Sequence, residues 1–523
     1  MFKKIFDSAA LPVILLASTV ISAILFRSTR VNNVFINLTL GIEHFSTIII
    51  LLMSLTSILL AGIACAKIYA LDFAGSKAYR VLLTTGLIVS VVFTVFALIY
   101  SAGLFFGENN QIFMLNFKKS ISEAAVLIIV PFLVMFFPAL NSSAKKAVGA
   151  VLLIAVLITG INTIFPLKHF RITSEPLVID NGREYSIVFS TSDHATAYAE
   201  YTYEGKDYKV YDNVGGRLGS EKKIHSISVP YEHLKGNSYK VGATRVIEEF
   251  SYGSRLGKAL ISPEYTFNCN ETANQKWLVI SDWHTWLNRA YKAIDNLGSN
   301  YDAVILLGDA TPGVDYEEQA IRNIVEFGGK VSGGTKPVLY VRGNHETRGA
   351  FADELPRMLG LEQLYYTADF GEYSFIVLDS GEDKDDSHPE YGGMNDYNTY
   401  RANMIEWLKG VEVKNDKVVA LCHAWNISEV EDELCEAGWA ELDRLGTRLQ
   451  ISGHAHECRF LGDRDGKEKE IFTKYPNIIG YIDGGKVSDN NYIASLLTLG
   501  SDGFTIKAVD MNGEEVFDES FNW

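Results

Sequence analysis

The chain has 523 residues, a formal net charge of −16 and five cysteines. That length exceeds the roughly 250 to 300 residues at which a single hydrophobic core usually divides, so we expect two or more domains. The acidic balance argues against binding to a nucleic-acid polymer. The cysteines contain no C-x-x-C pair, which argues against a zinc ribbon, and their spacing does not indicate a disulfide framework.

Residues 1–168 are predicted to form a helical transmembrane bundle. Apolar runs with very few charges each approach the roughly 20 residues that a helix needs to cross a bilayer. About five spans are expected on this criterion, at 10–26, 46–70, 81–103, 121–140 and 146–165. The balance of lysine and arginine in the short loops favours a cytoplasmic N-terminus. An odd number of spans then predicts a multi-pass plasma-membrane protein whose C-terminal part lies outside the cytoplasm.

Residues 169–272 show a different pattern, with short runs of alternating tyrosine, valine and isoleucine between turn residues. Examples are REYSIVFSTS and ATAYAEYTYEG. This spacing predicts an all-β, immunoglobulin-like or fibronectin III-like sandwich of about 100 residues. Nothing in it indicates catalysis, so we interpret it as a spacer.

Residues 273–523 alternate apolar strands with helical stretches, which predicts an α/β layered domain. In such domains ligands usually bind beyond the carboxyl ends of the strands. The polar residues that follow these strands belong to three types only, aspartate, asparagine and histidine. They are Asp282, His284, Asp309, Asn344, His345, His423, His454 and His456.

Any one of these histidines alone would more often be a hydrogen-bonded loop residue, but the repeated placement favours a metal site. Imidazole, carboxylate and amide oxygen suit Mn, Fe or Zn, and the absence of thiolates disfavours a structural zinc site. Without His345 there remain seven potential ligands, more than one ion would take while keeping a position for water. Two ions that share one carboxylate could clamp a phosphoryl group and activate a water, and such a site prefers an anionic phosphoester.

Five blocks in this region, SDWH, LGDA, GNHE, LCHAW and SGHAH, resemble in order the blocks of the calcineurin-like metallophosphoesterases. The resemblance implies a four-layer αββα sandwich and two bound metal ions. It implies that one ion is bound by Asp282, His284 and His456. The other would be bound by Asn344, His423 and His454. Asp309 would bridge the two ions, and His345 would contact the scissile phosphate and assist the leaving oxygen.

The β-sandwich ahead of this domain is similar to the arrangement in purple acid phosphatases, but two positions depart from that subgroup. This chain has His284 where the subgroup has glycine, and Pro312 where it has a metal-binding tyrosine. We therefore expect no tyrosinate charge-transfer colour, and the metal pair need not contain iron.

Three tryptophans beside the strand ends could either pack in the core or line a substrate pocket: Trp283, Trp286 and Trp425. The acidic stretch 381–398 falls where an insertion could cover the mouth of the site. His388 within that stretch is expected to be solvated rather than a ligand.

The leading hypothesis is a membrane-anchored, outward-facing hydrolase that attacks a phosphate monoester or diester with a metal-bound hydroxide. One alternative is a catalytically silent receptor or scaffold that keeps the phosphoesterase fold. Another is a hydrolase of lipid-linked phosphate, for which the bilayer would deliver the substrate.

Overall fold

The computed structural model describes residues 10–28, 45–105, 169–250, 253–424, 431–456, 477–479 and 491–523, with a few single positions between them. The chain divides into two compact units. The first comprises Met1–Lys168 with Ile247–Arg255, and the second comprises His169–Val246 with Leu256–Trp523.

Among its described residues, the first unit has three apolar helices. They are α1 (Ala10–Ser28), α2 (Phe45–Ile68) and α3 (Lys77–Phe105), with a 3-10 turn at Asp72–Gly75. Leu15, Leu60 and Leu83 are buried where these helices pack together.

One described helix is long and apolar enough to cross a membrane, over Lys77–Leu98 of α3. Shorter apolar stretches are described in the other two helices, at Ala10–Phe26 and Leu52–Ile68. The predicted spans at 121–140 and 146–165 lie outside the described residues. The expectation of a five-span bundle is therefore not supported, because among the described residues only one helix has the length and composition of a crossing helix.

The second unit begins with short strands and one short helix, α4 (Tyr231–Leu234). The strands are β1 (Leu177–Asp180), β2 (Tyr185–Ser190), β3 (Ala195–Tyr203), β4 (Lys206–Tyr211), β5 (Asn213–Val214), β6 (Arg217–Leu218), β7 (Ile224–Val229), β8 (Ser238–Phe250), β9 (Gly253–Ile261) and β10 (Tyr265–Thr266).

The remainder of the unit alternates strands and helices, as the sequence predicts. Its strands are β11 (Gln275–Ile280), β12 (Ala303–Leu306), β13 (Pro337–Tyr340), β14 (Tyr366–Phe370), β15 (Tyr373–Val377), β16 (Lys417–Leu421), β17 (Thr447–Ser452), β18 (Asn477–Ile479), β19 (Ile493–Leu499), β20 (Gly503–Asp510) and β21 (Glu515–Asn522). Its helices are α5 (Leu287–Leu297), α6 (Glu317–Ala320), α7 (Phe327–Ser332), α8 (Leu355–Met358), α9 (Tyr397–Lys409) and α10 (Asp432–Arg444). A π-helical stretch at Ile321–Glu326 joins α6 to α7, and 3-10 turns lie at His345–Thr347 and Pro389–Tyr391.

Two sheets face each other in the α/β part. The first has the order β21-β20-β19-β11-β12-β13-β1-β2-β7, and the second has the order β14-β15-β16-β17-β18. Residues from both sheets, such as Leu278 and Phe375, belong to one buried core. Helix α5 packs against that core through Ala290 and Ile294, while α9 and α10 enclose a second core on the far side of the second sheet. The layers therefore run helix, sheet, sheet, helix.

The strands β1, β2 and β7 come from the region predicted to be a separate sandwich, yet they extend the first sheet. Strand β1 pairs in parallel with β13, with Ile179 opposite Val338. A third sheet, β10-β8-β3-β4, covers these strands and shares a buried core with them. The fibronectin III assignment and the boundary at 272 stay predictions.

Parallel pairing determines where the site lies. Strands β11, β12 and β13 run parallel in the first sheet, and β15, β16 and β17 run parallel in the second. Since the carboxyl ends of parallel strands share one edge of a sheet, the residues that follow them come close together.

Candidate metal centre

The residues that follow these strands have unusual backbone conformations. Five of them have positive φ angles: Asp282 (55°), His284 (34°), Asp309 (54°), His454 (69°) and His456 (53°). Positive φ is uncommon for residues other than glycine, costs about 1 to 3 kcal/mol, and tends to cluster at functional sites. Backbone hydrogen bonds hold the strained loops together, for example from His284 N–H to the Asp309 carbonyl at 3.0 Å.

Two glycines allow these loops to approach one another closely. A Cβ atom at Gly343 would lie 2.2 Å from Asp309 Oδ1, and one at Gly453 would lie 2.6 Å from Asp282 Oδ2. No larger residue fits at either position without displacing a carboxylate. The glycines of the GNHE and SGHAH blocks are thus required by contacts between loops that are distant in the sequence.

The first ligand group brings together Asp282, His284, Asp309 and His456, whose ligand atoms lie within 4.8 Å of one another. His456 Nε2 lies 3.3 Å from Asp282 Oδ1, and His284 Nε2 lies 3.6 Å from Asp309 Oδ2. The two imidazole Nε2 atoms are themselves 3.3 Å apart. Two carboxylates and two imidazoles therefore converge on one point at a largely buried position.

The second group consists of Asp309, His423 and His454, again within 4.8 Å. His423 Nε2 lies 3.3 Å from Asp309 Oδ1, and the Asn344 amide oxygen adjoins the group at 3.1 Å from His454 Nδ1. Asp309 therefore belongs to both groups. Its Oδ2 faces His284 while its Oδ1 faces His423, which is the orientation that a bridging carboxylate needs.

The chemistry of these donors fits a cation, as His423 shows. Its Nδ1 lies 2.6 Å from the Leu307 carbonyl, and because a carbonyl only accepts hydrogen bonds, Nδ1 carries the proton. In the neutral ring, the lone pair of Nε2 would then face the carboxylates, and Nε2 has no hydrogen-bond partner among the described residues although it is buried. A cation between these atoms would satisfy all of them.

The electrostatics lead to the same conclusion. Burial alone lowers the pKa of His423, but the charges of Asp309 and Asp282 outweigh it and raise that pKa to about 10. Burial opposes ionisation of Asp309, yet the neighbouring His423 lowers its pKa below the ordinary value. Burial also lowers the pKa of His284, which favours the neutral imidazole that a metal ligand requires. Without a metal, His423 therefore keeps a second proton, and the charged ring takes the place of a metal cation beside the two carboxylates.

His345 differs from the ligands in its exposure. Its side chain is 30% exposed, and its Nε2 lies 3.8 Å from Asp309 Oδ2. Its Nδ1 lies 3.2 Å from the Pro312 carbonyl. Because a carbonyl only accepts, Nδ1 carries the proton here too, and this hydrogen bond holds the ring. His345 is therefore placed at the open side of the centre, where a substrate could reach it.

Glu346 is a residue of the site that the sequence interpretation missed. Its buried carboxylate accepts four backbone N–H bonds, from Asp309, Ala310, Thr311 and Gly343, at 2.5 to 3.2 Å. Burial, and then the charge of Asp309, raise its pKa to about 7. The carboxylate ties the loop after β12 to the loop after β13. Its position as the last letter of the GNHE block was the only signal in the sequence.

The three tryptophans have different environments. Trp283 is fully buried, donates from Nε1 to the Asn323 carbonyl at 2.9 Å and stacks on Phe327, so it packs in the core and contacts no substrate. Trp286 is half-buried, and its ring centroid lies 5.9 Å from that of His284. Trp425 lies outside the described residues.

His388, in the acidic stretch 381–398, is 43% exposed at its side chain. Its Nδ1 accepts a hydrogen bond from the Glu390 N–H. It belongs to neither of the two ligand groups.

Comparisons with known proteins agree with this chemistry. Residues 276–458 match the family model for calcineurin-like phosphoesterases. The C-terminal part of the chain is thus an α/β metallophosphoesterase domain, a class of hydrolases that act on phosphate esters. Its group of aspartates and histidines is suited to divalent metal ions.

No curated protein matches the chain. Among solved structures, the chain is similar to PhoD at 11% identity and a TM-score of 0.41, covering 67% of this chain and 90% of that one. It is also similar to a predicted phosphoesterase from Streptococcus pneumoniae TIGR4, at 12% identity and a TM-score of 0.24, covering 48% and 99%. A third is a cold-active protein-tyrosine phosphatase of a Shewanella species, at 12% and 0.24, covering 68% and 99%.

Proposed function

We propose that the protein is a dinuclear-metal phosphoesterase in which Asp309 bridges two ions. The observation that carries the proposal is that two ligand groups share Asp309 and that its two oxygens face different groups. When bound, two divalent ions supply Lewis acidity toward a phosphoryl group and lower the pKa of a coordinated water. The ligand set suits Mn, Fe or Zn.

The residues of the chain divide the work of holding the ions. One position is held by Asp282, His284 and His456, and the other by Asn344, His423 and His454. The Leu307 carbonyl orients His423 by accepting from Nδ1, and the Glu346 carboxylate fixes the loop that carries Asp309. With two carboxylates against two divalent charges, the centre is positive and attracts an anionic phosphoester.

His345 acts as the general acid in this proposal. The Pro312 carbonyl holds the ring through Nδ1, so that the protonated imidazole donates from Nε2 to the leaving oxygen. A positioned general acid of this kind contributes about 10² to 10⁴ in rate.

The test measures metal content and hydrolysis in the purified full-length chain. We expect wild type to hold two ions and to cleave a member of a panel of phosphomonoesters, phosphodiesters and pyrophosphate. Asp309→Asn keeps the volume but removes the bridging charge, and it should lose at least one ion together with the activity. Wild type that holds two ions yet cleaves nothing in the panel would refute the proposal. A metal content below one ion per chain would favour the silent receptor instead.

The division of the ligands has its own test. His454→Ala and His456→Ala should lose ions from different positions. With Mn²⁺ as the metal, the electron paramagnetic resonance spectrum of the remaining ion should therefore differ between the two variants. Identical spectra would show that the division is wrong.

We also propose that the domain is anchored to a membrane and faces outward. The apolar α3 supports the anchor, and the orientation rests on the lysine and arginine balance of the N-terminal region. Protease added to intact cells should cleave the C-terminal domain. Protection of that domain until the cells are lysed would reverse the orientation.

A further inference from the structure

The acidic stretch 381–398 is joined to the metal centre by one buried carboxylate, that of Glu382. Its side chain is 1% exposed, and it accepts hydrogen bonds from three residues. Oε1 accepts from Thr347 Oγ1 at 2.7 Å and from Arg348 Nε at 2.8 Å. Oε2 accepts from Arg348 Nη2 at 2.7 Å and from the Tyr391 hydroxyl at 3.0 Å. Each oxygen thus accepts two hydrogen bonds, and two of the three donor residues, Thr347 and Arg348, lie two and three residues after His345.

The donors Thr347 and Arg348 close the 3-10 turn that carries His345. The Thr347 hydroxyl also lies 2.6 Å from the Asn344 carbonyl, and Arg348 N–H donates to the His345 carbonyl at 3.3 Å. Fixing these two side chains therefore fixes the turn, and with it the backbone position from which the His345 ring extends. Apart from this turn, the ring is held by one hydrogen bond, to Pro312.

The backbone of Glu382 is itself held in place by a buried arginine, so the position of its carboxylate is well defined. The fully buried Arg401 donates from Nη1 to the Glu382 carbonyl at 3.2 Å and to the Ser380 carbonyl at 3.1 Å. The other side of the Arg401 guanidinium forms a bidentate pair with Glu431 at 2.9 and 3.1 Å. Helix α9, which carries Arg401, thereby anchors the start of the stretch to the body of the domain.

The Glu382–Arg348 pair also determines what Arg348 can do. A bidentate carboxylate occupies the guanidinium fork, and Asp383 Oδ1 lies 3.4 Å from Nη2. Although Arg348 is close to His345 in the chain, its charge is already matched. We therefore assign it no role in binding phosphate.

We infer that Glu382 is a positioning residue for His345, acting through Thr347 and Arg348. The inference rests on the proposed role of His345 as general acid. Its consequence concerns the leaving group, because a poor leaving group needs a proton in the transition state whereas a stabilised phenolate does not. Loss of Glu382 should therefore slow esters with poor leaving groups selectively.

The experiment uses the metal-loaded full-length chain with p-nitrophenyl phosphate and phenyl phosphate, or with their methyl diesters if wild type prefers diesters. Glu382→Gln should lower kcat on the phenyl ester about tenfold or more, within the range of general-acid effects. On the nitrophenyl ester kcat should fall less than about twofold, and KM should change little on both. In a His345→Ala background, Glu382→Gln should add no further loss, because the residue that it positions is gone.

Two further variants separate positioning from loss of structure. Glu431→Gln weakens the pair that holds Arg401 against Glu382, so it should lower the melting temperature but shift the ratio of the two rates less than Glu382→Gln does. Arg348→Lys keeps the charge and loses the fork. It should show the Glu382→Gln pattern in weaker form, and it provides the test if Glu382→Gln does not fold.

Several results would overturn the inference. Equal losses on both esters, additive losses in the His345→Ala background, or a rate pattern in Glu431→Gln as strong as that in Glu382→Gln would each do so. A fall in the metal content of Glu382→Gln would also count against it, since the effect would then pass through Asn344. If metal-loaded wild type cleaves nothing in the panel of phosphomonoesters, phosphodiesters and pyrophosphate, the proposed function fails as well. Uniform losses from a wild type that is active on these esters refute the positioning role alone.

Discussion

His423 provides the sharpest prediction about metal binding, because an ion must replace a proton there. The pKa of His423 is raised to about 10 in the protein without metal, while ligation at Nε2 requires the neutral ring. At pH 7, which is about three units below this pKa, the ring is protonated, and the proton must be removed before the ion can bind. At 1.36 kcal/mol per unit this costs about 4 kcal/mol of metal affinity.

The affinity for the ion at His423 should therefore rise about tenfold per pH unit, with one proton released per ion. Over the pH range from 7.5 to 9 a histidine with an ordinary pKa is already neutral, so the difference in proton release between wild type and a variant that lacks His423 counts this proton. Calorimetric titration with Mn²⁺ in two buffers of different ionisation enthalpy counts the protons directly.

His423→Asn is the matched variant, because it keeps a polar side chain but cannot hold the proton. It should bind the ion more weakly and without the pH dependence. Wild type that releases no proton above pH 7.5, or a variant that releases as many as wild type, would refute the reasoning.

The same pKa makes a prediction about stability in the chelated protein. Because the folded pKa lies above the ordinary value of 6.5, the charged ring stabilises the fold fully below about pH 6.5. That contribution is lost as the pH rises toward 10. The chelated wild type should thus lose stability over this range by more than chelated His423→Asn does, as measured by denaturant unfolding.

The remaining predictions concern packing and support of the site. Trp283→Phe should lower the free energy of unfolding by about 2 kcal/mol, through lost ring volume and one lost hydrogen bond, with KM unchanged. Trp286→Ala should raise KM with little loss of stability, and an unchanged KM would remove it from the substrate pocket. Gly453→Ala should weaken metal binding at least about tenfold, because its Cβ would lie 2.6 Å from Asp282 Oδ2; unchanged metal content in elemental analysis would contradict this. Glu346→Gln should lose two of four backbone bonds at about 1 to 3 kcal/mol each. Thermal unfolding within 2 °C of wild type would show that the bonds contribute less than this reasoning requires.

The sequence alone identified which residues stand at the strand ends, and for a physical reason. A buried parallel strand appears as a continuous apolar run, so the residue at which it ends can be located in the sequence. The aspartates, histidines and asparagine that follow these runs are the residues that the structure brings together. The alternation of strands and helices likewise predicted the layered α/β domain, because each layer must bury an apolar face.

Local pattern was a poorer guide to the first 168 residues. Charge-poor runs predicted about five spans, and among the described residues one helix, over Lys77–Leu98, is long and apolar enough to cross a membrane. Two of the predicted spans, at 121–140 and 146–165, lie outside the described residues.

Only the tertiary structure decided the contacts between distant segments. Neighbouring residues can point in opposite directions, so Trp283 lies in the core although Asp282 faces the site. The pairing of β1 with β13 joins segments about 160 residues apart, and no local pattern encodes a partner at that distance. For the same reason, three features of the site follow only from the folded chain: the four backbone bonds to Glu346, the placement of the two Asp309 oxygens toward different ligand groups, and the contacts of Glu382 with the His345 turn.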